Sequence, residues 1–303
     1  NNLYGWAMVQ ALPYKDIKFS NETTLETSSE TDDDATTGYM VEINLSFESS
    51  IHEKLKEMPP CLESIIPQEE WFSEYQKLVA KTTKSNTKCK KLVPHLNEHL
   101  NYCIHYRNLN FIKQLGVTIG KIHNVISFTQ DKFMKPYIEG NNKLRTQASI
   151  DNNRCLVDFF KLMNNFVFGE RMENVRNRMN LDLTTDHNNA IKWFAKPEFK
   201  NNTHADGLYL IETHKTQIVY DKPVYVGCCV LDLNKLHILD FHYNVIQKQF
   251  GNKAKLIYSD TDIFVYEIEH NNIYDWIKEN KEHFDLSKSE RPELNCKTND
   301  DTI

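Results

Sequence analysis

A short apolar stretch near the end of the printed sequence is interrupted once, by two aspartates, and this pattern restricts the segment to a β-hairpin. In Lys255–Tyr266 two strand-like segments flank a tight turn that carries Asp260 and Asp262. A strand pair does not need acids at its tip, whereas Mg²⁺ prefers carboxylate oxygens as ligands. Aspartate is also a common turn residue, so the motif alone favours a plain hairpin.

Length and charge set loose limits on the rest of the chain. The chain has 303 residues, of which 40% are hydrophobic, which is enough for about two domains with a sizeable core. The formal net charge of −6 is unevenly spread, because residues 20–37 carry six acids and no base, whereas residues 77–91 carry six lysines. The basic segment is suited to a phosphate backbone, although a solvated loop is the commoner explanation of such a lysine cluster.

The cysteine pattern points to a reducing compartment. Seven cysteines occur at irregular spacing without a Cys-x-x-Cys pair, so we predict neither a zinc site nor a disulfide framework from them. Because the chain also lacks a signal-like start and a bilayer-length apolar run, we predict an intracellular protein that is not secreted. The chain does not begin with Met and opens in a strand-like run, so we expect it to be a piece of a longer protein.

Hydrophobic periodicity and turn residues predict a mixed α and β chain. Strands are expected over residues 3–12, 41–47 and 117–128, and a hairpin over residues 208–220. Helices are expected over residues 68–80, 135–178, 225–250 and 273–280, and a short helix is expected to end near Gly116. The helix over residues 135–178 is expected to be interrupted near Gly140–Asn142.

A second motif lies in the segment Phe160–Gly169. On a helix, Lys161, Asn165 and Phe168 fall at positions i, i+4 and i+7, within about 60° of arc. An ammonium group on that face can hold a triphosphate, and an aromatic plane can pack on a base or sugar. The alternative is an ordinary amphipathic helix whose lysine faces water and whose phenylalanine faces the core.

These two motifs and the N-terminal segment Asn1–Met8 together resemble family B DNA polymerases. More narrowly, they resemble the protein-primed branch found in viruses, linear plasmids and Polinton (Maverick) transposons. Asn-Asn-Leu-Tyr-Gly-Trp-Ala-Met matches that branch's first palm motif from its third position onward. Lys161, Asn165, Phe168 and Gly169 match the fingers motif, and Asp260-Thr261-Asp262 match the second palm motif. The resemblance extends over nearly the whole chain.

The resemblance implies a role for each matched residue in template-directed transfer of deoxynucleotides. Asp262 would be the principal ligand of two catalytic Mg²⁺ ions, with Asp260 beside it. Lys161 would neutralise the incoming triphosphate, and Asn165 and Phe168 would shape the nucleotide pocket. Tyr4 would pack under the sugar and exclude a ribose hydroxyl. Arg145, which precedes Lys161 by 16 residues, is a candidate for a second phosphate contact.

The implied fold class is α/β (α+β): a polymerase palm, whose antiparallel sheet carries the acids, with a helical fingers element. Exonuclease and thumb domains are expected to be absent. The expected partners are template-primer DNA, deoxynucleoside triphosphates and a terminal protein primer, with the nucleus or a viral or transposon replication site as the location. The resemblance divides the chain into five segments. Residues 1–14 would be the start of the palm, residues 15–128 a palm insertion with the acidic loop and lysine cluster, and residues 129–180 the fingers. Residues 181–222 would be a second insertion, and residues 223–303 the part of the palm that carries the hairpin.

Several residues depart from the family pattern. The first motif's Asp would lie two positions before Asn1, Phe166 stands where the family has Ser in a close-packed place, and Glu170 replaces a Lys. Ile263 replaces the last Ser of the second palm motif. We therefore expect this chain not to polymerise DNA by itself. Two alternatives stay open: a non-catalytic DNA- or protein-binding remnant of a transposon polymerase, and an Asp-x-Asp glycosyltransferase that binds a nucleotide sugar through Mn²⁺.

The resemblance also makes a geometric prediction. The Asp260–Asp262 turn should lie beside the strand containing Leu3–Tyr4, and Lys161 should face both across a cleft.

Overall fold

The computed structural model describes residues 3–20, 31–260, 263–284, 286 and 294 as a mixed α/β fold with antiparallel sheets. The helices are α1 Leu3–Met8, α2 Ser49–Leu55, α3 Glu74–Thr83, α4 Tyr106–Gln114, α5 Lys135–Ile150, α6 Arg154–Arg171, α7 His187–Phe194, α8 Val224–Asp240 and α9 Ile273–Glu279. The strands are β1 Leu12–Phe19, β2 Thr37–Ser46, β3 Leu62–Ile65, β4 Lys91–Pro94, β5 His99–His105, β6 Thr118–Asp131, β7 Met179–Thr184, β8 Phe199–Ala205, β9 Leu208–His214, β10 Ala254–Asp260 and β11 Ile263–Ile268.

The largest sheet has four antiparallel strands in the order β1-β6-β2-β5. Alternation in β2 places Val41, Ile43 and Leu45 on one face, and all three side chains are almost fully buried. The apolar face of α4, with Leu109 and Ile112, packs in the same core. The strands predicted over residues 41–47 and 117–128 and the helix predicted to end near Gly116 are confirmed.

The first segment folds differently from the prediction. Residues 3–12 were expected to be a strand, but Leu3–Met8 is a helix and β1 begins only at Leu12. Short apolar runs do not distinguish helix from strand by periodicity. Here packing decides, because Ala7 and Met8 are buried in one core with Val226 and Val230 of α8.

The predicted helix interruption near Gly140–Asn142 is also wrong. Helix α5 runs unbroken from Lys135 to Ile150, and the chain turns instead at Asp151–Asn153, where Asn152 adopts a left-handed conformation with φ of 54°. Glycine and asparagine lower helix propensity but do not by themselves end a helix, and the side chains of Asn141 and Asn142 bond to Asn164 of α6 and join the two helices.

Residues 179–214 form a separate three-stranded sheet in the order β7-β9-β8, with α7 between β7 and β8 in the chain. The hairpin is made by β8 and β9 around Asp206 and Gly207, which both have positive φ, as a two-residue turn requires. The hairpin predicted over residues 208–220 is therefore displaced, because Leu208 begins the second strand.

A long helix and a hairpin complete the described fold. Helix α8 continues through a π-helical stretch, Phe241–Gln247, and a last turn, Lys248–Phe250, which confirms the long helix predicted over residues 225–250. Strands β10 and β11 pair antiparallel, as predicted, and form a two-stranded sheet separate from the four-stranded one. Among the described helices, none has the length and apolar character needed to cross a bilayer.

Candidate functional site

The N-terminal motif and the helical motif meet in a ring stack. The rings of Tyr4 on α1 and Phe168 on α6 are stacked, with centroids 4.5 Å apart and planes inclined by 28°. Both rings lie against the core formed by α1 and α8, which includes Met8 and Val230. Two of the three segments that sequence analysis grouped together are thus in direct contact, although 164 positions separate Tyr4 from Phe168 in the chain.

The other two residues of the helical motif face solvent. Lys161 and Asn165 are exposed on α6, and Phe168, which completes their face, is half-buried against Tyr4. Seven positions separate Lys161 from Phe168, which corresponds to about 10 Å along the helix axis. The face therefore presents a ring stack at one end and, at the other, an ammonium group that forms no ion pair with any described residue.

Arg145 lies on the helix that packs against α6. The short connection Asp151–Asn153 makes α5 and α6 antiparallel, and the bond from Asn141 to Asn164 fixes how far the two helices overlap. Arg145 and Lys161 therefore lie at a similar height along the pair. Arg145 is half-buried and has no carboxylate partner among the described residues. This arrangement is compatible with a second phosphate contact.

Asn164, which sequence analysis did not single out, is the buried member of this helix pair. It is 2% exposed, accepts a hydrogen bond from Asn141 at 2.8 Å and donates one to Asn142 at 2.9 Å. The signal in the sequence was the recurrence of Asn-Asn in both helices, at residues 141–142 and 164–165. These amides fix the orientation of the face that carries Lys161.

Phe166, which replaces the family's Ser, lies in a more open environment than the family pattern predicts. Phe166 does not occupy a close-packed place, because it is 59% exposed. It shares an exposed apolar stripe with Phe159 and Leu162 on the face of α6 away from Lys161. The large ring is therefore accommodated without displacing neighbours.

The second departure, Glu170, is paired with a cation. The ammonium group of Lys222 donates a hydrogen bond to Glu170 and lies 3.2 Å from a carboxylate oxygen of Glu173, which also binds Arg178. The hydrogen bond from Arg178 lowers the pKa of Glu173 to about 2, and the hydrogen bond to Glu170 raises the pKa of Lys222. These charges tie the end of α6 to the segment before α8.

The hairpin presents Asp260 at the end of β10. Asp260 is exposed and accepts a hydrogen bond from the Tyr258 hydroxyl at 3.4 Å. Asp260 pairs with Ile263 of β11. Thr261 and Asp262 lie outside the described part of the chain, and the predicted role of Asp262 stays a prediction.

Contacts with the long helix hold the hairpin in place. The ring of Phe264 stacks on Phe241 with centroids 6.0 Å apart, and the Tyr266 hydroxyl lies 2.9 Å from His242 Nδ1. Helix α1 packs against an earlier part of the same helix, at Val226 and Val230. One helix thus carries both segments, while the predicted adjacency of the Asp260–Asp262 turn and Tyr4 stays a prediction.

An open cleft lies beside this region. It has an empty volume of about 770 Å³ and is lined in part by Trp6, Arg107, His237 and Asp240. The Arg107 guanidinium already forms an ion pair with Asp33 at 2.7 Å. The exposed face of α6 is therefore better suited to a triphosphate than this cleft.

A group of side chains able to bind a metal lies elsewhere, at the two-stranded β3–β4 sheet. Glu63, His95 and His99 each place one donor atom within 4.8 Å of the other two. Burial, followed by the nearby His95, lowers the pKa of His99, although the backbone carbonyls of Asn97 and Cys61 oppose this shift. Sequence analysis considered only cysteines for zinc and missed this group, for which His-x-x-x-His at residues 95–99 was the available signal.

Comparison of the chain with protein-family models, curated proteins and solved structures finds no match. Membership of a family is therefore a proposal, supported by the sequence motifs and by the geometry described above.

Proposed function

We propose that this chain is the palm-and-fingers portion of a protein-primed family B DNA polymerase, which transfers deoxynucleotides to a primer in DNA replication. The observation that carries the proposal is the stack of Tyr4 on Phe168. It joins two motifs that are distant in sequence, on a helix face that also exposes Lys161. If the two segments resembled the family only by chance, there would be no reason for them to be in contact.

The exposed face of α6 supplies the binding chemistry in this proposal. The Lys161 ammonium holds the triphosphate as a point charge, and Arg145 adds a second cation from α5. Asn165 lines the pocket, and the stacked rings of Tyr4 and Phe168 provide an apolar floor for the sugar. In the reaction a primer hydroxyl attacks the α-phosphate in line and pyrophosphate leaves.

The carboxylates of Asp260 and Asp262 would hold Mg²⁺. Their oxygen-only donor set suits this ion, and the exposure of Asp260 leaves room for water and phosphate oxygens. When bound, Mg²⁺ supplies charge stabilisation for the attacking and leaving oxygens. The partners in this proposal are template-primer DNA, deoxynucleoside triphosphates and a terminal protein primer, and the location is an intracellular replication site such as the nucleus.

Nucleotide binding by a Lys161→Ala variant tests the proposal. Loss of one charge-assisted contact, worth about 1.5–3 kcal/mol, should weaken binding of a deoxynucleoside triphosphate about 10- to 150-fold. Isothermal titration calorimetry in the presence of Mg²⁺ measures the affinity. Lys192→Ala, which removes an exposed lysine from α7, is the matched control and should bind as the unchanged chain does.

The same titration examines a second candidate function, a non-catalytic protein-binding module. The observation that favours it is the exposed apolar stripe of Phe159, Leu162 and Phe166. If Lys161→Ala and Lys192→Ala bind the nucleotide equally, or if the unchanged chain binds none, the polymerase proposal is wrong and this candidate is favoured.

A further inference from the structure

Three potential metal ligands converge where the two-stranded β3–β4 sheet meets the four-stranded sheet. Glu63 lies on β3 opposite Val93 of β4, and His95 follows β4 directly. His99 begins β5, where it pairs with Leu45 of the main sheet. The antiparallel pairing thus brings a carboxylate together with two imidazoles that lie 32 and 36 positions further along the sequence.

The donor atoms are close to the spacing that a metal requires. The Asn97 N–H donates a hydrogen bond to His95 Nδ1, so His95 Nε2 donates its proton to a Glu63 carboxylate oxygen at 3.0 Å and would release it when a metal binds. The two histidine rings stack with centroids 4.3 Å apart. In a tetrahedral site with bonds of about 2.0–2.2 Å, donor atoms are about 3.3–3.6 Å apart. All three donor atoms already lie within 4.8 Å of one another, and rotation of the stacked histidine side chains would direct them at one ion.

His99 supplies an independent indication of a ligand. Its side chain is fully buried, and its Nδ1 lies 2.8 Å from the carbonyl oxygen of Asn97, which fixes the proton on Nδ1. Nε2 then carries the lone pair; it forms no hydrogen bond with a described residue, although the Cys61 carbonyl lies close enough to the ring to affect its pKa. A backbone carbonyl on one ring nitrogen is the usual support of a histidine whose other nitrogen binds a metal.

We infer that Glu63, His95 and His99 bind one Zn²⁺ ion. Two neutral imidazoles and one carboxylate form a mixed nitrogen and oxygen set that suits zinc, whereas Mg²⁺ prefers oxygen ligands alone. Three protein ligands leave one coordination position for water, and the partial exposure of Glu63 gives access to it. The site is independent of the proposed polymerase function, because it shares no residue with the face that carries Lys161.

Titration of the full chain with Zn²⁺ alone, without nucleotide, tests the inference. The unchanged chain should bind one ion, and Glu63→Gln and His95→Asn should each weaken binding about 10-fold or more, since loss of a supporting group alone costs about 10- to 100-fold. Matched controls are Glu69→Gln and His214→Asn, which alter exposed residues outside the cluster and should bind zinc as the unchanged chain does.

Circular dichroism establishes that each variant is folded before its affinity is compared. Binding of Co²⁺ provides a second readout, since visible absorption bands of the bound ion should appear with the unchanged chain and be lost in His95→Asn. Absence of a one-to-one complex, or equal zinc affinity in the ligand variants and the controls, would overturn the inference.

Discussion

At the scale of single residues, the most unusual environment belongs to His105. Its side chain is fully buried, and neither ring nitrogen has a hydrogen-bond partner among the described residues. Burial, followed by the charge of Arg107, lowers its pKa from 6.5 to about 3. The folded protein therefore holds His105 neutral, and protonation of its ring opposes folding.

Stability should consequently fall as the solution becomes acidic. Below pH 6.5 the unfolded chain binds a proton at His105 that the folded chain does not bind until about pH 3. The free energy of unfolding therefore decreases by about 1.4 kcal/mol per pH unit from this residue within that window. Urea unfolding at about pH 7 and about pH 5 should show a smaller decrease for His105→Gln than for the unchanged chain.

His214→Gln, which replaces an exposed histidine outside the core, is the control for this measurement. His242, whose pKa burial lowers to about 4, contributes in the same direction in every variant. An identical pH dependence in His105→Gln and the unchanged chain would contradict the prediction.

At the scale of secondary structure, the pairing of α5 with α6 depends on buried amides. Asn164→Ala leaves the hydrogen-bonding groups of Asn141 and Asn142 without their partner, which should lower the free energy of unfolding by about 1–3 kcal/mol. Asn165→Ala changes the exposed neighbour and should shift stability by no more than about 0.5 kcal/mol. Urea unfolding measures both, and equal stability of the two variants would show that the amide cluster does not hold the helices together.

At the scale of the whole molecule, Asp232 connects the long helix to the four-stranded sheet. Its carboxylate accepts hydrogen bonds from the His105 backbone N–H at 3.0 Å and from Lys235 at 3.1 Å. Its backbone carbonyl accepts one from Asn108 of α4 at 2.7 Å. A residue of α8 thus satisfies polar groups of both β5 and α4.

Removal of the Asp232 carboxylate should therefore destabilise the packing of the helix on the sheet. Asp232→Ala leaves the buried His105 N–H unpaired and should cost about 1–3 kcal/mol in unfolding free energy. Asp232→Asn retains an acceptor oxygen and should cost less. Asp240→Ala, at an exposed site on the same helix, is the control in a thermal or urea unfolding series, and an Asp232→Ala protein as stable as the control would refute this role.

Sequence pattern alone determined the elements whose signal is local. Runs of apolar residues with the period of a strand or a helix predicted the β10–β11 hairpin, the long helix and strands β2 and β6. The spacing of Lys161 and Asn165 also placed both residues on one face of a helix, which is α6. Tertiary contacts decided the rest. Leu3–Met8, predicted as a strand, is a helix packed on α8, and the side chains of Asn141 and Asn142 on α5 bond to Asn164 across the helix pair.

The candidate sites likewise depend partly on local sequence and partly on the tertiary structure. Local spacing identified Lys161, Asn165 and Phe168 as one face, but only the fold placed Tyr4 against Phe168. The grouping of Glu63 with His95 and His99 depends on strand pairing across 32 residues, and a sequence pattern carries no direct information about such pairing. The physical reason is that periodicity reports which side chains share one element's face, whereas a site assembled from several elements depends on contacts that form only when the chain folds.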